Sequence, residues 1–573
     1  MSSRFFSGVI LLILLSGCVL PAQGVADLPP LATRRAYWQQ TLTPSPEILE
    51  PLPNEQRPDP DPGPVEPTID ETARVFLHPG LPQNLVDALN LPDHSLTDDQ
   101  HEADLSILLG HKGSVEPGLA SSIWIYALAA PFYTISDGHS LEELTALWAG
   151  RPSADLTTTQ IQVTPEAYAA MQELFGDPDD AFVKVVTREA LTELALTDQA
   201  FLTLLPFEEL TPHWKVLRVD GQSPIDDTFS AGNYPLTVHI WLEGAPETTV
   251  GLPAANYDAD RRTVLMMTGV TALTRATAHR METQGNHYPG RDIQPWLTAA
   301  DLVHISNEVP FAQNCPYPDP FQADLIFCSS PDRIELLEYI STDIIELSGN
   351  HTLDYGVQAM NLTLEMYAER GWVTYAGGGD LQDARSPALI THHGNQLAFI
   401  GCNPVGPPVA WATNTSPGAA PCGDYQWLVE EIQALRAGGY LPIVTLQYTE
   451  DYTAYPSTQM VADFQRLADA GALIVNGSQA HTPKSMVFYG DSFLHYGLGN
   501  LFFDQMEVYY NDFLMPGTRE AFIDRLVFYD GDLISVELLT TMLEDYARPR
   551  PMSPGEREAL LSRIFSIGLQ AYE

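Results

Sequence analysis

The feature that most constrains the fold is a series of short apolar runs, each closed by polar residues, in the second half of the chain. They are "RTVLMMTGVTAL", "ADLVHISNEVPF", "STDIIELSGNHTLDYG", "QLAFIGCNP", "YLPIVTLQYTEDY", "GALIVNGSQAH" and "SFLHYGLGNLFFD". Each apolar stretch is nearly continuous, as a strand covered on both faces requires. With loops and helices between them, they predict an α/β fold whose functional residues gather just beyond the strand ends. The preceding block uses the same grammar. In "ASSIWIYALAAPFYTISDGHSLEELTALWAG" an apolar strand leads through a loop to a helix opened by Ser140 with Glu143 three positions on, a capping box. At 573 residues, two domains are expected.

One stretch carries chemistry on its face. "ELSGNHTLDYG", Glu346 to Gly356, follows a strand-like run and places Asn350, His351 and Asp354 within five residues. An Asn-His pair at a strand end can offer an amide oxygen and an imidazole to one divalent cation, with Asp354 orienting the histidine from behind. The same residues also suit a plain strand-to-helix connection, in which Asn350 or Thr352 caps the following helix. Residue types alone leave both readings open.

The N-terminus reads as an export signal. A single Arg4 precedes the apolar run Val9–Leu15, which is too short to span a bilayer and is followed by small residues up to Cys18. "LSGC" resembles the bacterial lipobox, which implies cleavage after residue 17 and lipid on Cys18; an ordinary cleavage near Ala22 is the alternative. Residues 18–71, including "PLPNEQRPDPDPGPVEPT", are rich in proline and acidic residues without apolar periodicity and read as an extended linker. The protein is then an extracytoplasmic, membrane-anchored body. Four cysteines remain, and in an oxidising compartment the simplest of their three pairings is Cys315 with Cys328 and Cys402 with Cys422. The formal charge is -46, from 28 Lys plus Arg against 74 Asp plus Glu. Such a surface repels nucleic acid, anionic lipid and polyanionic polymers unless cations or a local basic cleft intervene.

Two resemblances refine this reading. From about residue 72 to 251, "YALAAPFYTISDGHSLEELTALWAG" and "LLPFEELTPHWKVLRVDGQSPI" resemble the periplasmic solute-binding fold of the phosphate-binding type, although no Ser/Thr/Gly cluster marks an anion pocket. From Arg262 to Thr541, "SGNHTLDYG", "GWVTYAGGGDLQDARSPALI" and "DAGALIVNGSQAHTPKSMVFYGDSFLHYGLGNLFFDQ" resemble the CapA-type poly-γ-glutamate capsule biosynthesis family, which shares the calcineurin-like metallophosphoesterase fold. The resemblance implies a four-layer α-β-β-α sandwich over 262–545, after an N-terminal α/β domain over 72–251 and before a tail helix in 546–573.

The family's metal site carries over in part. Glu308, Asn350, His351 and His481 match its pattern, with His351 as a proton donor oriented by Asp354. Three positions depart from it. Val270 stands where an aspartate is expected, and Gln447 and Gln479 stand in place of histidines. Valine supplies no charge and glutamine only a neutral oxygen, so a two-metal hydrolytic centre is not expected. At most one divalent cation (Mn, Zn, Mg or Ca) is expected, on Glu308, Asn350, Gln447, Gln479 and His481. The functions implied are binding of a cell-envelope polymer or its precursor, metal-dependent hydrolysis of one, or scaffolding of capsule-synthesis membrane proteins. Nucleic acid is not an expected partner.

Overall fold

The computed structural model describes residues 73–572 except 90, 92–94, 117–118, 154–157, 159, 198–199, 245–251, 507, 511–512 and 516. Cys18, the signal and the linker lie outside the described residues.

Residues 262–551 build two sheets. The first runs Val373–Tyr375, Ile344–Glu346, Leu302–Asn307, Arg262–Thr271, Glu520–Tyr529, Asp532–Glu544 and Arg548–Pro551, and Asn500–Phe502 also pairs with Arg262–Thr271. Its first four strands are parallel; the Glu520–Tyr529 strand begins the antiparallel half. The second sheet runs Ala388–His392, Asn395–Cys402, Leu441–Gln447, Ile474–Ser478, Ser492–His495 and Met486–Tyr489, and its four inner strands are parallel.

The alternation of side chains along each strand makes four layers. Leu265, Met267 and Leu302 of the first sheet meet Phe399, Ile443 and Phe493 of the second in one core. The alternate residues Met266, Val303 and Ile305 face outward and are covered by Met281, Leu337, Met360 and Tyr367 from helices. On the other side Ile400, Val444 and Val475 are covered by Leu428 and Ile432 of helix Gln426–Ala437 and Phe464 of helix Thr458–Asp469. Polar contacts also cross between the sheets, one of them through His304. His304 Nε2 lies 2.8 Å from the Tyr375 hydroxyl, which lies 2.7 Å from Thr445 Oγ1. Complete burial pulls the His304 pKa down to about 3, so the ring is neutral.

Residues 75–244 form a mixed sheet in the order 96–97, 75–77, 105–110, 237–244, 122–131, 214–219, 138–139, with 203–206 also paired to 122–131. The capping box at Ser140 is formed: Glu143 N–H donates to Ser140 Oγ at 3.1 Å, and Ser140 N–H donates to Glu143 Oε2 at 2.8 Å.

Two boundaries read from the sequence do not divide the structure. All described residues belong to one compact unit. Val264, Val527, Tyr529 and Ile534 pack in the same core as Trp124, Phe207 and Tyr234 of the first block, because the hairpin Glu520–Glu544 runs beneath it. The segment 546–573 is not a tail. It supplies the last strand of the first sheet and helix Pro554–Leu569, whose Leu560, Leu561, Ile564 and Phe565 fill the core between the sheets.

Candidate functional site

The carboxyl ends of the parallel strands from both sheets bring the sequence candidates to one edge. Glu308 follows strand Leu302–Asn307, and Asn350 and His351 follow Ile344–Glu346; Gln447 ends its strand, and Gln479 and His481 follow Ile474–Ser478. Glu308, Gln447, Gln479 and His481 are buried, whereas Asn350 and His351 are half-buried.

Close approach holds Glu308 in place. A Cβ on Gly349 would lie 2.9 Å from Glu308 Cα, so only glycine lets the "SGNH" loop pass this near. Below the loop, buried Glu346 accepts from the Ser348 N–H at 2.5 Å and from Ser306 Oγ at 2.6 Å. Burial, with a smaller contribution from Glu308, pushes the Glu346 carboxyl above its usual range. Glu308 Oε2 is buried without a hydrogen-bond partner among the described residues.

The loop after Gly349 is a turn, and neither Asn350 nor Thr352 caps the next helix. That helix, Gly356–Glu369, has Tyr355 at its N-cap with no side-chain cap, while Thr352 Oγ1 donates back to Gly349 O at 3.2 Å. His351 Nδ1 lies 2.7 Å from Asp354 Oδ2, which also accepts from the Phe327 N–H at 2.8 Å. Burial lowers the His351 pKa, but Asp354, Glu308 and Glu450 outweigh it, so the imidazole keeps its proton above the ordinary histidine range. Phe327 packs against the ring at 4.7 Å. It is carried by the loop that the Cys315–Cys328 disulfide closes. The second disulfide joins Cys402 to Cys422.

On the other side the amides bond to one another. Gln447 Nε2 donates to Asn350 Oδ1 at 3.2 Å and also to Gln479 Oε1. Gln479 holds φ +72°, a left-handed conformation rare for a residue with a Cβ. Asn500, which residue type alone did not single out, fixes His481. Its Nδ2 donates to His481 O, Gln505 Oε1 and Thr518 O, so its Oδ1 accepts from His481 Nδ1–H at 2.8 Å. The His481 Nε2 lone pair therefore faces the site, where it accepts a long hydrogen bond from Gln479 Nε2–H at 3.5 Å. Arg275, also unsuspected, pairs with Asp504, and its guanidinium lies 4.9 Å from the Phe327 ring and 5.3 Å from Phe503. Asp504 closes the "GNLFFD" run, a position where a lone acid after an apolar strand was the available signal.

Val270 is 2% exposed and packs with Ala272, Val309, Phe327 and Phe503 in an apolar cluster. Among the described residues, no three His, Cys, Asp or Glu side chains gather as a metal-holding group. The donor set, two mutually bonded neutral amides beside a sealed valine, does not fit a two-metal centre.

Residues 264–505 match the family model described as bacterial capsule synthesis protein PGA_cap. Over 216 residues, 37% of this chain and 56% of the relative, the chain is 24% identical to the PGA biosynthesis protein CapA of Bacillus subtilis (strain 168). Over 264 residues, 45% of this chain and 64% of the relative, it is 22% identical to the capsule biosynthesis protein CapA of Bacillus anthracis. The chain thus spans less than two thirds of the length of either relative. A crystal structure of an ABC-type phosphate transport receptor from Vibrio cholerae aligns with 31% of this chain and 88% of its own at 10% identity and a TM-score of 0.25, too low to carry an argument.

Proposed function

We propose that the protein, whose residues 264–505 match the family model described as bacterial capsule synthesis protein PGA_cap, is an accessory component of capsule or poly-γ-glutamate synthesis or export that binds a cell-envelope polymer or its precursor in this cleft. The observation that carries the reading is the amide set. Gln447 donates to both Asn350 and Gln479, so that amides bond to amides where the family's pattern has imidazole ligands, and Val270 sits in an apolar cluster where it has an aspartate. Amides that donate and accept suit the peptide-like or hydroxylated repeat of such a polymer. A polyanionic repeat would need a cation to bridge it to a chain of charge -46. Glu308, Asn350 Oδ1 and His481 Nε2 would be the donors for one such ion.

A second reading, metal-dependent hydrolysis, is favoured by the His351–Asp354 pair and the unpartnered Glu308 oxygen. One experiment separates the two. The purified mature chain is loaded with Mn²⁺ or Zn²⁺, desalted, analysed for metal, and incubated with γ-glutamyl oligomers and with a chromogenic phosphodiester. Binding reading: at most one metal per chain, removable by chelator, with saturable oligomer binding and no turnover. Two retained metals with turnover abolished by His351→Ala would establish the hydrolase instead. We also propose tethering through a lipidated Cys18 near the membrane proteins of the same export system. Mass spectrometry of the mature N-terminus should show a diacylglyceryl cysteine, and an unmodified start near Gly24 would exclude it.

A further inference from the structure

A second pocket lies away from the cleft, where the first block meets the hairpin Glu520–Glu544. Its volume is about 450 Å³, inside the roughly 300–1,000 Å³ span of small-molecule sites. Its walls include the four aromatic side chains Trp124, Phe207, Tyr257 and Tyr529. The rings support one another: Phe207 stands edge-on to Tyr257 at 5.0 Å and to Tyr529 at 4.9 Å, and Tyr257 stacks on Tyr529 at 6.3 Å.

The charged residues of the pocket are nearly all acidic: Glu208, Asp258, Asp530 and Asp532 against Arg261 alone. Arg261 is spoken for, paired with Asp530 while its guanidinium lies 5.4 Å from the Tyr529 ring. That contact shows that one aromatic wall accepts a cation. Glu208 has no cationic partner among the described residues. Trp124 Nε1–H donates to its Oε1 at 3.0 Å and Asn256 Nδ2–H to its Oε2 at 2.6 Å. Asn256 cannot turn away, because it also accepts from the Ile125 N–H at 2.8 Å and donates to Ile125 O at 3.0 Å. The carboxylate, which also accepts from its own backbone N–H, is thus held in one orientation with a lone pair to spare. Burial pushes its pKa up to about 7 against the hydrogen bonds that hold it down, and Glu209 adds to the rise.

We propose that this pocket binds an organic ammonium group, its positive charge facing Glu208 and its carbon substituents the aromatic walls. The chemistry selects among cations. A hard ion such as Ca²⁺ or Mg²⁺ needs about six or more oxygens close around it, and aromatic faces supply none. An ammonium carrying apolar substituents is satisfied by one carboxylate and ring faces. Anions are excluded by the four acids.

The test uses the full mature chain at pH 8, where Glu208 is ionised, and titrates it by calorimetry with choline and with 3,3-dimethylbutan-1-ol, which has the same shape without the charge. Choline should bind at least tenfold more tightly than the alcohol. Equal binding, or none at millimolar choline, would overturn the proposal on the wild-type protein alone. Glu208→Gln should weaken choline binding tenfold or more; retained affinity in a folded variant counts against it. Arg261→Ala removes the internal competitor for the Tyr529 face, so choline affinity should hold or rise a few-fold, and a loss would refute the assigned geometry.

Discussion

Replacing Val270 by aspartate, the residue whose absence separates this site from a two-metal centre, tests the reading of the cleft directly. Val270 is 2% exposed among Ala272, Val309, Phe327 and Phe503, so the change removes a fully buried side chain worth about 1.5–3 kcal/mol. A polar group with no partner there costs about 1–3 kcal/mol more, even when neutral. The pH dependence then follows from linkage. An apolar site raises the carboxyl pKa in the folded state above its unfolded value of about 3.9, so the ionisation penalty is absent below that value. It grows by about 1.4 kcal/mol per pH unit up to the folded pKa and is constant above it. Val270→Asp should therefore cost about 3 kcal/mol or more at pH 5, and distinctly more at pH 8. Urea unfolding followed by tryptophan fluorescence, with and without Mn²⁺, gives both values. Because Gln447 and Gln479 offer only weak amide oxygens where imidazole nitrogens would be needed, Mn²⁺ should restore less than about 1 kcal/mol to the single variant, whereas Val270→Asp combined with Gln447→His and Gln479→His should regain more. A single variant within about 1 kcal/mol of wild type at pH 8 without metal would refute the sealed-valine argument.

Three further outcomes are expected. Glu537 is buried between Arg525 and Arg218, and the two guanidiniums hold its carboxyl below the usual range against the opposing effect of burial. Glu537→Ala should cost about 3 kcal/mol at pH 7, mainly by stranding the buried Arg525, since the half-buried Arg218 keeps Asp226. A depressed carboxylate stabilises above its unfolded pKa and loses that contribution as pH falls through the folded value, so the gap in urea midpoint should narrow below pH 4; an unchanged gap at pH 3.5 would contradict this. Gly349→Ala places a Cβ 2.9 Å from Glu308 Cα and 3.1 Å from Glu308 O, so about 1–3 kcal/mol should be lost in thermal or urea unfolding, and a neutral effect would show the loop free to move. Asp354→Asn removes the strongest support of the His351 charge, so NMR titration should find the His351 pKa lower than in the wild type, since burial then acts against fewer carboxylates.

The strands were legible because burial on both faces makes them continuous apolar runs, and the candidate residues were legible because each closes such a run. Which strand joins which sheet was not: that depends on pairings such as Arg262–Thr271 with Glu520–Tyr529, more than 200 residues apart, which leave no local signal. Asn500 looks like any polar residue at the end of "YGLGN", and its importance comes from three acceptors that only the fold assembles. Arg275 was hidden for a similar reason. It sits in a left-handed turn at φ +44° and gains its role from Asp504, over 200 residues later. The capping role considered for Asn350 and Thr352 failed because the chain turns tightly after Gly349, with Asp354 N–H on His351 O at 3.1 Å and Gly356 N–H on Leu353 O at 2.8 Å, and the helix starts only at Gly356.

The junction between the two blocks decides how the first one can work. A periplasmic binding fold of the type that "YALAAPFYTISDGHS" resembles would act as a separate body on a linker, yet here the first block and the hairpin Glu520–Glu544 share one core. The contact is also polar where polarity is costly. Arg218 of the first block reaches Glu537 at 3.1 Å, and Arg525 Nη2 donates to Ile225 O at 2.7 Å. Lys215 donates to Thr134 O and Ile135 O and pairs with Asp137 at 2.8 Å, and Arg557 of the last helix pairs with the same Asp137 at 2.7 Å. Burial brings the Lys215 pKa down to about 8 even with Asp137 beside it. Parting the blocks would expose the shared apolar core and break charge pairs whose partners stay partly buried, which costs about 3–5 kcal/mol for each buried pair broken. The first block is therefore held as a fixed wall of the larger domain, and what binds at the junction meets a preformed surface rather than a closing cleft.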